Sequence, residues 1–157
     1  MARTDNQRSL PWWLFAIAAA ALIARIALTL WTRGHAEKSD DLVRWISIEE
    51  ARAGGAGKPI LYDFTAAWCG PCRQLEAEVY RDPVLAARID AEVIPVKVVD
   101  RQREDGVNPP AVRDLQTKYH VSGFPTVVLV DRNGTPAARM EGFRGRDAFV
   151  RLLDTVH

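Results

Sequence analysis

Residues 66 to 75 read A-A-W-C-G-P-C-R-Q-L, and they contain both cysteines of a 157-residue chain. Two thiols separated by two residues can close a small disulfide ring and reopen it. Where a strand ends and a helix begins, the first sulfur lies at the positive end of the helix dipole, among backbone N–H groups without partners. Its thiolate is favoured there and its pKa lowered. Cys69 is therefore the expected nucleophile. Cys72, in the first helical turn and expected to be the more buried of the two, stays protonated until a mixed disulfide forms at Cys69, then attacks that bond and releases reduced substrate. Pro71 suits the first helical turn, where no intrahelical N–H bond is lost. Two thiolates can also hold a soft ion such as Cu(I), but no Met or His cluster accompanies them. His35, His120 and His157 are scattered and share no ligand spacing, so no metal set is expected.

The rest of the composition supports an ordinary core with chemistry added. Lys plus Arg number 21 against 20 Asp plus Glu, and the charges are dispersed, so nucleic acid is not an expected partner. One cysteine pair cannot staple a scaffold, and 48% apolar residues suffice for a hydrophobic core. The length fits one domain plus an appendage.

That appendage is N-terminal. After a tail of residues 1–9, residues 10–31 are apolar apart from Arg25 and Thr29, with Trp12 and Trp13 at one end and Trp31 at the other. As a helix this stretch is roughly 30 Å long, about the hydrocarbon thickness of a bilayer, with tryptophans at interface depth. It reads as a single transmembrane anchor. Arg25 costs about 2.5 to 3.5 kcal/mol at a bilayer centre but lies past the midpoint and can snorkel. A cleaved signal peptide is the alternative, with Arg3 and Arg8 as its charged start and Gly34-His35-Ala36 as its cleavage site. Either reading sends the folded part across the membrane. Residues 32–41 are read as a short polar linker, and 42–157 as the domain.

Within the domain, 42–47 is expected to form a short strand, and Ser47 to cap a helix through about Arg52, with Glu50 in the capping-box position. Residues 58–65 read as a central strand covered on both faces. Helix follows from Pro71 to about Ile89, broken at R-D-P (81–83). A strand is expected at 93–99, a loop at 101–110 and a helix at 111–119. A hairpin of 126–130 and 137–142 turns on D-R-N-G, and a closing helix runs over 147–156. The order β-α-β-α-β-α-β-β-α implies an α/β fold, a mixed central sheet with helices on both faces.

W-C-G-P-C following D-F-T-A-A resembles the thioredoxin superfamily, over roughly residues 42–157. The resemblance implies a thioredoxin fold and dithiol–disulfide exchange at Cys69 and Cys72. It implies that Asp63, six residues before Cys69, is a buried proton acceptor for the resolving thiol. Phe124-Pro125-Thr126 is similar to the family's loop with a cis proline facing the cysteines, and Gly142 to a glycine that lets substrate backbone approach. Trp68, Gly70, Pro71, Phe124, Pro125, Thr126 and Gly142 are accordingly the implied substrate-contacting residues. Lys97 is one residue out of register with the family's lysine when counted back from Asp100, and a one-residue shift is expected to turn it to the opposite face. Arg73 either favours the Cys69 thiolate or solvates a helix surface. The loop at 101–110 is longer than thioredoxin's, so it either influences partner choice or is a tolerated surface insertion.

The stretch S-I-E-E-A-R-A-G-G-A-G-K-P-I-L-Y-D-F and the run L-E-A-E-V-Y-R-D-P-V-L, with Glu76, more closely resemble the C-terminal domain of the bacterial thiol:disulfide interchange protein. The expectation is a thiol:disulfide oxidoreductase, single-pass in the inner membrane with its domain in the periplasm, reducing protein disulfides as a monomer. With no nicotinamide or flavin fingerprint in the chain, its electrons are expected from a membrane donor of the interchange type and no cofactor is expected. An oxidase or isomerase is the alternative direction, since potential decides it.

Overall fold

The computed structural model describes residues 17–25, 41–54 and 57–156, and the chain divides into two units, Met1–Ser39 and Asp40–His157. In the first, residues 17–25 form a helix, α1, on which Ile17, Leu22 and Ile23 are exposed. Among the described residues no helix is long and apolar enough to cross a membrane. The other parts of the expected anchor, 10–16 and 26–31, lie outside the described residues, as do the Gly34-His35-Ala36 site and His157.

The second unit is built on β1 (Ile60–Ala66), β2 (Ile94–Asp100), β3 (Thr126–Val130) and β4 (Pro136–Glu141), in the spatial order β2-β1-β3-β4. β1 runs parallel to β2 and antiparallel to β3, and β3 is antiparallel to β4, so the sheet is mixed. The parallel pair needs a crossover. It is supplied by α3 (Gly70–Leu75), a π-helical turn Glu76–Tyr80 and α4 (Pro83–Glu92). Alternation along β1 sends Leu61 toward Leu75, Val79, Ile89 and Phe149, and sends Tyr62 and Phe64 toward Val112, Leu115 and Tyr119. The helices supplying these residues include α6 (Pro110–Lys118) and α7 (Arg146–Leu153), the latter followed by a 3₁₀ turn, Asp154–Val156. A strand apolar on both sides has to be central. Asp63 is the charged exception in that run, and the site is arranged around it.

Local chemistry explains the boundaries. Ser47 and Glu50 close the expected capping box reciprocally, Ser47 N–H to Glu50 Oε2 at 2.8 Å and Glu50 N–H to Ser47 Oγ at 3.1 Å, and start α2 (Ile48–Gly54). The R-D-P break is present. Asp82 Oδ1 accepts from the N–H groups of Val84 and Leu85 and so caps α4, whose first residue is Pro83. Before it, Arg81 N–H reaches back five residues to the Glu76 carbonyl, which widens the last turn to π geometry, a feature the sequence pattern did not announce.

Two expected elements differ. Residues 42–47 form no strand, only an isolated parallel bridge between Ile46 and Val96. Their backbone groups are taken elsewhere: Leu42 N–H by the Tyr80 carbonyl and Arg44 N–H by the Asp90 carboxylate. Ile46 N–H bonds the carbonyl of Pro95, which has no N–H of its own to return on that edge. The segment 101–110 is not wholly loop, because α5 (Gln102–Asp105) forms one turn, closed by Gly106 at φ +76°.

This insertion is anchored from below. Asn108, 4% exposed, donates to the Asp100 carboxylate and accepts Arg101 N–H at 2.7 Å, while Gln116 of α6 donates to the same carboxylate at 2.8 Å. Leaving a buried carboxylate and amide short of partners costs about 1–3 kcal/mol. Asn108→Ala is therefore expected to lower stability by that amount and to speed amide exchange over 101–107. Unchanged exchange there would show that the loop is held by other contacts.

Candidate active site

β1 ends at Ala66, whose carbonyl accepts Cys69 N–H at 3.0 Å, and Cys69 in extended backbone (φ −80°, ψ 110°) is the N-cap of α3. Its Sγ accepts the N–H of Cys72 at 3.2 Å, so a free helix-terminal donor is spent on the sulfur itself. The two cysteines are joined, with S–S 2.09 Å and Cα–Cα 5.3 Å. Pro71 occupies the first turn of α3, and both it and Gly70 are exposed. The expected contrast in burial is absent in this oxidised state: Cys69 is 2% and Cys72 3% exposed. Phe124 packs against both together with Ala66, which covers the first sulfur as well as the second. Arg73 Nη1 donates to the Ala67 carbonyl at 3.2 Å and so ties the helix to the turn that precedes it.

The second wall comes from sheet register. Thr126, the first residue of β3, stands opposite Phe64 in the antiparallel pair, so the segment before β3 arrives where β1 ends. The Phe124–Pro125 bond in that segment is cis. Thr126 Oγ1 donates to the Gly123 carbonyl at 2.8 Å, and Gly142 N–H donates to the Pro125 carbonyl at 2.8 Å. Gly142 has φ +68°, which L side chains rarely adopt, and a Cβ there would meet no heavy atom within 4 Å. Trp68 is 42% exposed and meets Phe124 edge-on at 5.8 Å. On its ring, 3.6 Å from the centroid, lies the guanidinium of Arg103 from α5. Sequence reasoning missed Arg103. The insertion was noted, but nothing in R-Q-R-E-D says which arginine folds back onto the site.

Asp63 lies on β1 three residues before Ala66, which packs against both cysteines, and is 1% exposed. Burial raises its pKa to about 7, against the pull of Lys97 and with further upward pressure from Glu76 and Asp41. The Tyr80 hydroxyl favours the carboxylate, but neither Tyr80 Oη nor Asp63 Oδ1 completes a hydrogen bond of normal geometry. Burial, reinforced by Asp63, holds the Tyr80 hydroxyl well above its ordinary pKa, so it is a neutral neighbour.

The expectation for Lys97 is corrected. In the parallel ladder Lys97 is the Cα partner of Asp63, and directly paired residues point to the same face. Counting back from Asp100 misplaced it because the register is set by the β1–β2 pairing, not by the strand's end. Its ammonium bonds Glu76 Oε1 and Asp41 Oδ2, both at 2.7 Å. Burial works against that charge, but the two carboxylates outweigh it and leave the Lys97 pKa above its ordinary value. Asp41, read as the end of the linker, is thus packed into the domain, its side chain fully buried.

A family model for the thioredoxin-like domain matches residues 47–157. The chain belongs to the thioredoxin-like family. It is 33% identical to a thioredoxin of Mycolicibacterium smegmatis over 105 residues, 63% of this chain and 79% of that protein. It is 26% identical to the thiol:disulfide interchange protein DsbD of Vibrio vulnificus over 144 residues, covering 85% of this chain but only 23% of that protein. Among solved structures, an oxidoreductase named DsbH superposes with a TM-score of 0.55 at 25% identity, covering 69% of this chain and 80% of that one. A Thermus thermophilus thioredoxin gives 0.55 at 26%, covering 71% and 85%. This thioredoxin-like chain, with its Cys69–Cys72 disulfide, is a thiol:disulfide oxidoreductase.

The Asp63 pKa has a consequence for stability. An unfolded Asp titrates near 4, whereas the folded carboxyl titrates at about 7. Between those values the folded state holds a proton that the unfolded state has lost, so Asp63's contribution to stability falls as pH rises through that window and then levels off. Asp63→Asn is expected to stabilise the oxidised protein by up to a few kcal/mol at pH 8 and by much less at pH 5. Urea denaturation at both pH values measures this. An equal change at both would mean that Asp63 does not carry the buried charge.

Proposed function

We propose that this chain is a membrane-anchored reductase of protein disulfides, held by residues 10–31 in the inner membrane with its domain in the periplasm. One observation carries the reading: an openable disulfide at the start of α3, packed against Phe124 of the cis-proline loop, in a sheet whose central strand carries a buried carboxyl that titrates near neutrality. In the reduced protein the Cys69 thiolate attacks a substrate S–S bond, forms a mixed disulfide and expels one substrate thiolate. Cys72 then gives its proton to the Asp63 carboxylate and attacks Cys69 Sγ. The Cys69–Cys72 bond forms, the mixed disulfide breaks, and the second substrate sulfur leaves as a thiolate and takes up a proton. Two electrons have passed from the dithiol to the substrate.

A pKa near neutrality lets Asp63 both accept and return a proton at working pH. Trp68, Gly70, Pro71 and the Phe124-Pro125-Thr126 segment form the substrate platform, with Gly142 at its rim. The Pro125 carbonyl is already occupied by Gly142 N–H, so substrate backbone pairs with what remains free along that edge. The likeness to DsbD supports a membrane electron donor of the interchange type, and the tryptophan-flanked apolar stretch supports the anchor.

Insulin reduction by the reduced protein should be lost in Cys69→Ser and Cys72→Ser, and Cys72→Ala should accumulate mixed disulfides with its natural substrates. Full activity in the serine variants would remove dithiol exchange as the mechanism. A measured potential as oxidising as a strong disulfide donor would reverse the direction. In intact spheroplasts the domain should be cut by added protease, and protection would place it on the other side.

A further inference from the structure

Asp41 has no part in the exchange described above, yet its carboxylate is enclosed beside Lys97. Its side chain has no exposed surface. Oδ2 takes two bonds, from the Lys97 ammonium at 2.7 Å and from the Trp45 indole N–H at 3.0 Å. Oδ1 is buried with no hydrogen-bond partner. A carboxylate inserted in this way costs free energy unless its charge is used. Trp45 is itself fixed, edge-on to Tyr80 at 4.9 Å with the Lys97 ammonium 5.3 Å from its ring. Asp41, Trp45, Lys97, Glu76 and Tyr80 therefore form one connected group against the face of β1 that carries Asp63.

We propose that Asp41 is a positioning residue of the redox site: its buried carboxylate holds the Lys97 ammonium against Glu76 and so sets the charge that Asp63 experiences. Lys97 has two anionic partners at equal distance, and Asp63, its cross-strand neighbour, is the third carboxylate within the group. With Asp41 in place the single cation is shared among three acids. Asp63 is left under-compensated and keeps its proton to higher pH. Without the Asp41 charge, the field of Lys97 at Asp63 is offset by one anion fewer and one repulsive charge disappears, and both effects favour the Asp63 carboxylate. The charged and titratable groups facing Asp63 are Lys97 from β2, Glu76 and Tyr80 from the π turn, and Asp41 from the segment entering the domain. Cys72 on α3 is disulfide-bonded in this state and does not titrate.

The inference rests on the proposed proton transfer for its meaning in catalysis but is tested apart from it. In oxidised full-length protein, carboxyl-carbon NMR should show Asp63 titrating at lower pH in Asp41→Asn than in wild type, by on the order of half a pH unit or more. Asparagine keeps an acceptor for both Trp45 and Lys97 while removing the charge. In wild type, the Asp41 carboxyl signal should also move with the Asp63 midpoint, which reads the coupling without any substitution. An unchanged Asp63 midpoint in Asp41→Asn, or an Asp41 signal flat across the Asp63 titration, overturns the proposal. Where the midpoint moves, the acid limb of the pH profile for Cys72-dependent release of a mixed disulfide should move with it. Loss of insulin reduction in wild type would count against the proposed function and leave the Asp41 titration result standing.

Discussion

A carboxyl group in the centre of a strand covered on both faces must remain neutral near physiological pH or be given a cation at a distance that does not quench it. Asp63 is held between those two outcomes. Burial raises its pKa, Lys97 opposes burial, and the partners of Lys97 limit how far it can do so. The arrangement depends on the parallel register of β1 and β2. Shifting β2 by one residue would turn Lys97 out of the group and put an apolar side chain opposite Asp63.

The helical side of the site answers the same constraint. The chain leaves β1, turns at Cys69 and runs as α3, then widens into the π turn carrying Glu76 and Tyr80, two of the groups that act on Asp63. π turns are frequent at functional sites, and here the turn also ends the helix so that Asp82 can cap α4. The disulfide stands at the start of this path and the buried charges lie along it. A change in the phase of one helical segment would therefore disturb the buried charges around Asp63 as well as the packing.

Much of this was legible in the residues. Apolar runs marked β1 to β3, the S-I-E-E capping box and the R-D-P break marked helix ends, and the W-C-G-P-C spacing marked the redox pair. What was not legible depended on long-range pairing. Lys97 was misjudged because strand register is a property of two strands, and counting within one cannot supply it. Residues 42–47 read as a strand by β-propensity, but their backbone partners are the Asp90 carboxylate and the Tyr80 carbonyl, groups 46 and 38 residues away from Arg44 and Leu42. Asp41 read as polar linker since a single aspartate gives no sign that a lysine waits for it. Arg103 on Trp68 and the even burial of the two cysteines likewise come from a loop and an aromatic folding back from distant sequence.

The rims of the sheet have their own consequence. On the outer side of β2, Pro95 breaks the row of donors, and among the described residues the strand pairs there through one bridge to Ile46. On β4, Pro136 opens the strand, and the Arg139 guanidinium is drawn across to the carbonyls of Tyr119 and His120. Each border strand carries a proline, which donates no N–H, and this limits the addition of another polypeptide there as a further strand. In the proposed reading a visiting chain lies instead beside the cis-proline segment, where Phe124 packs against both cysteines.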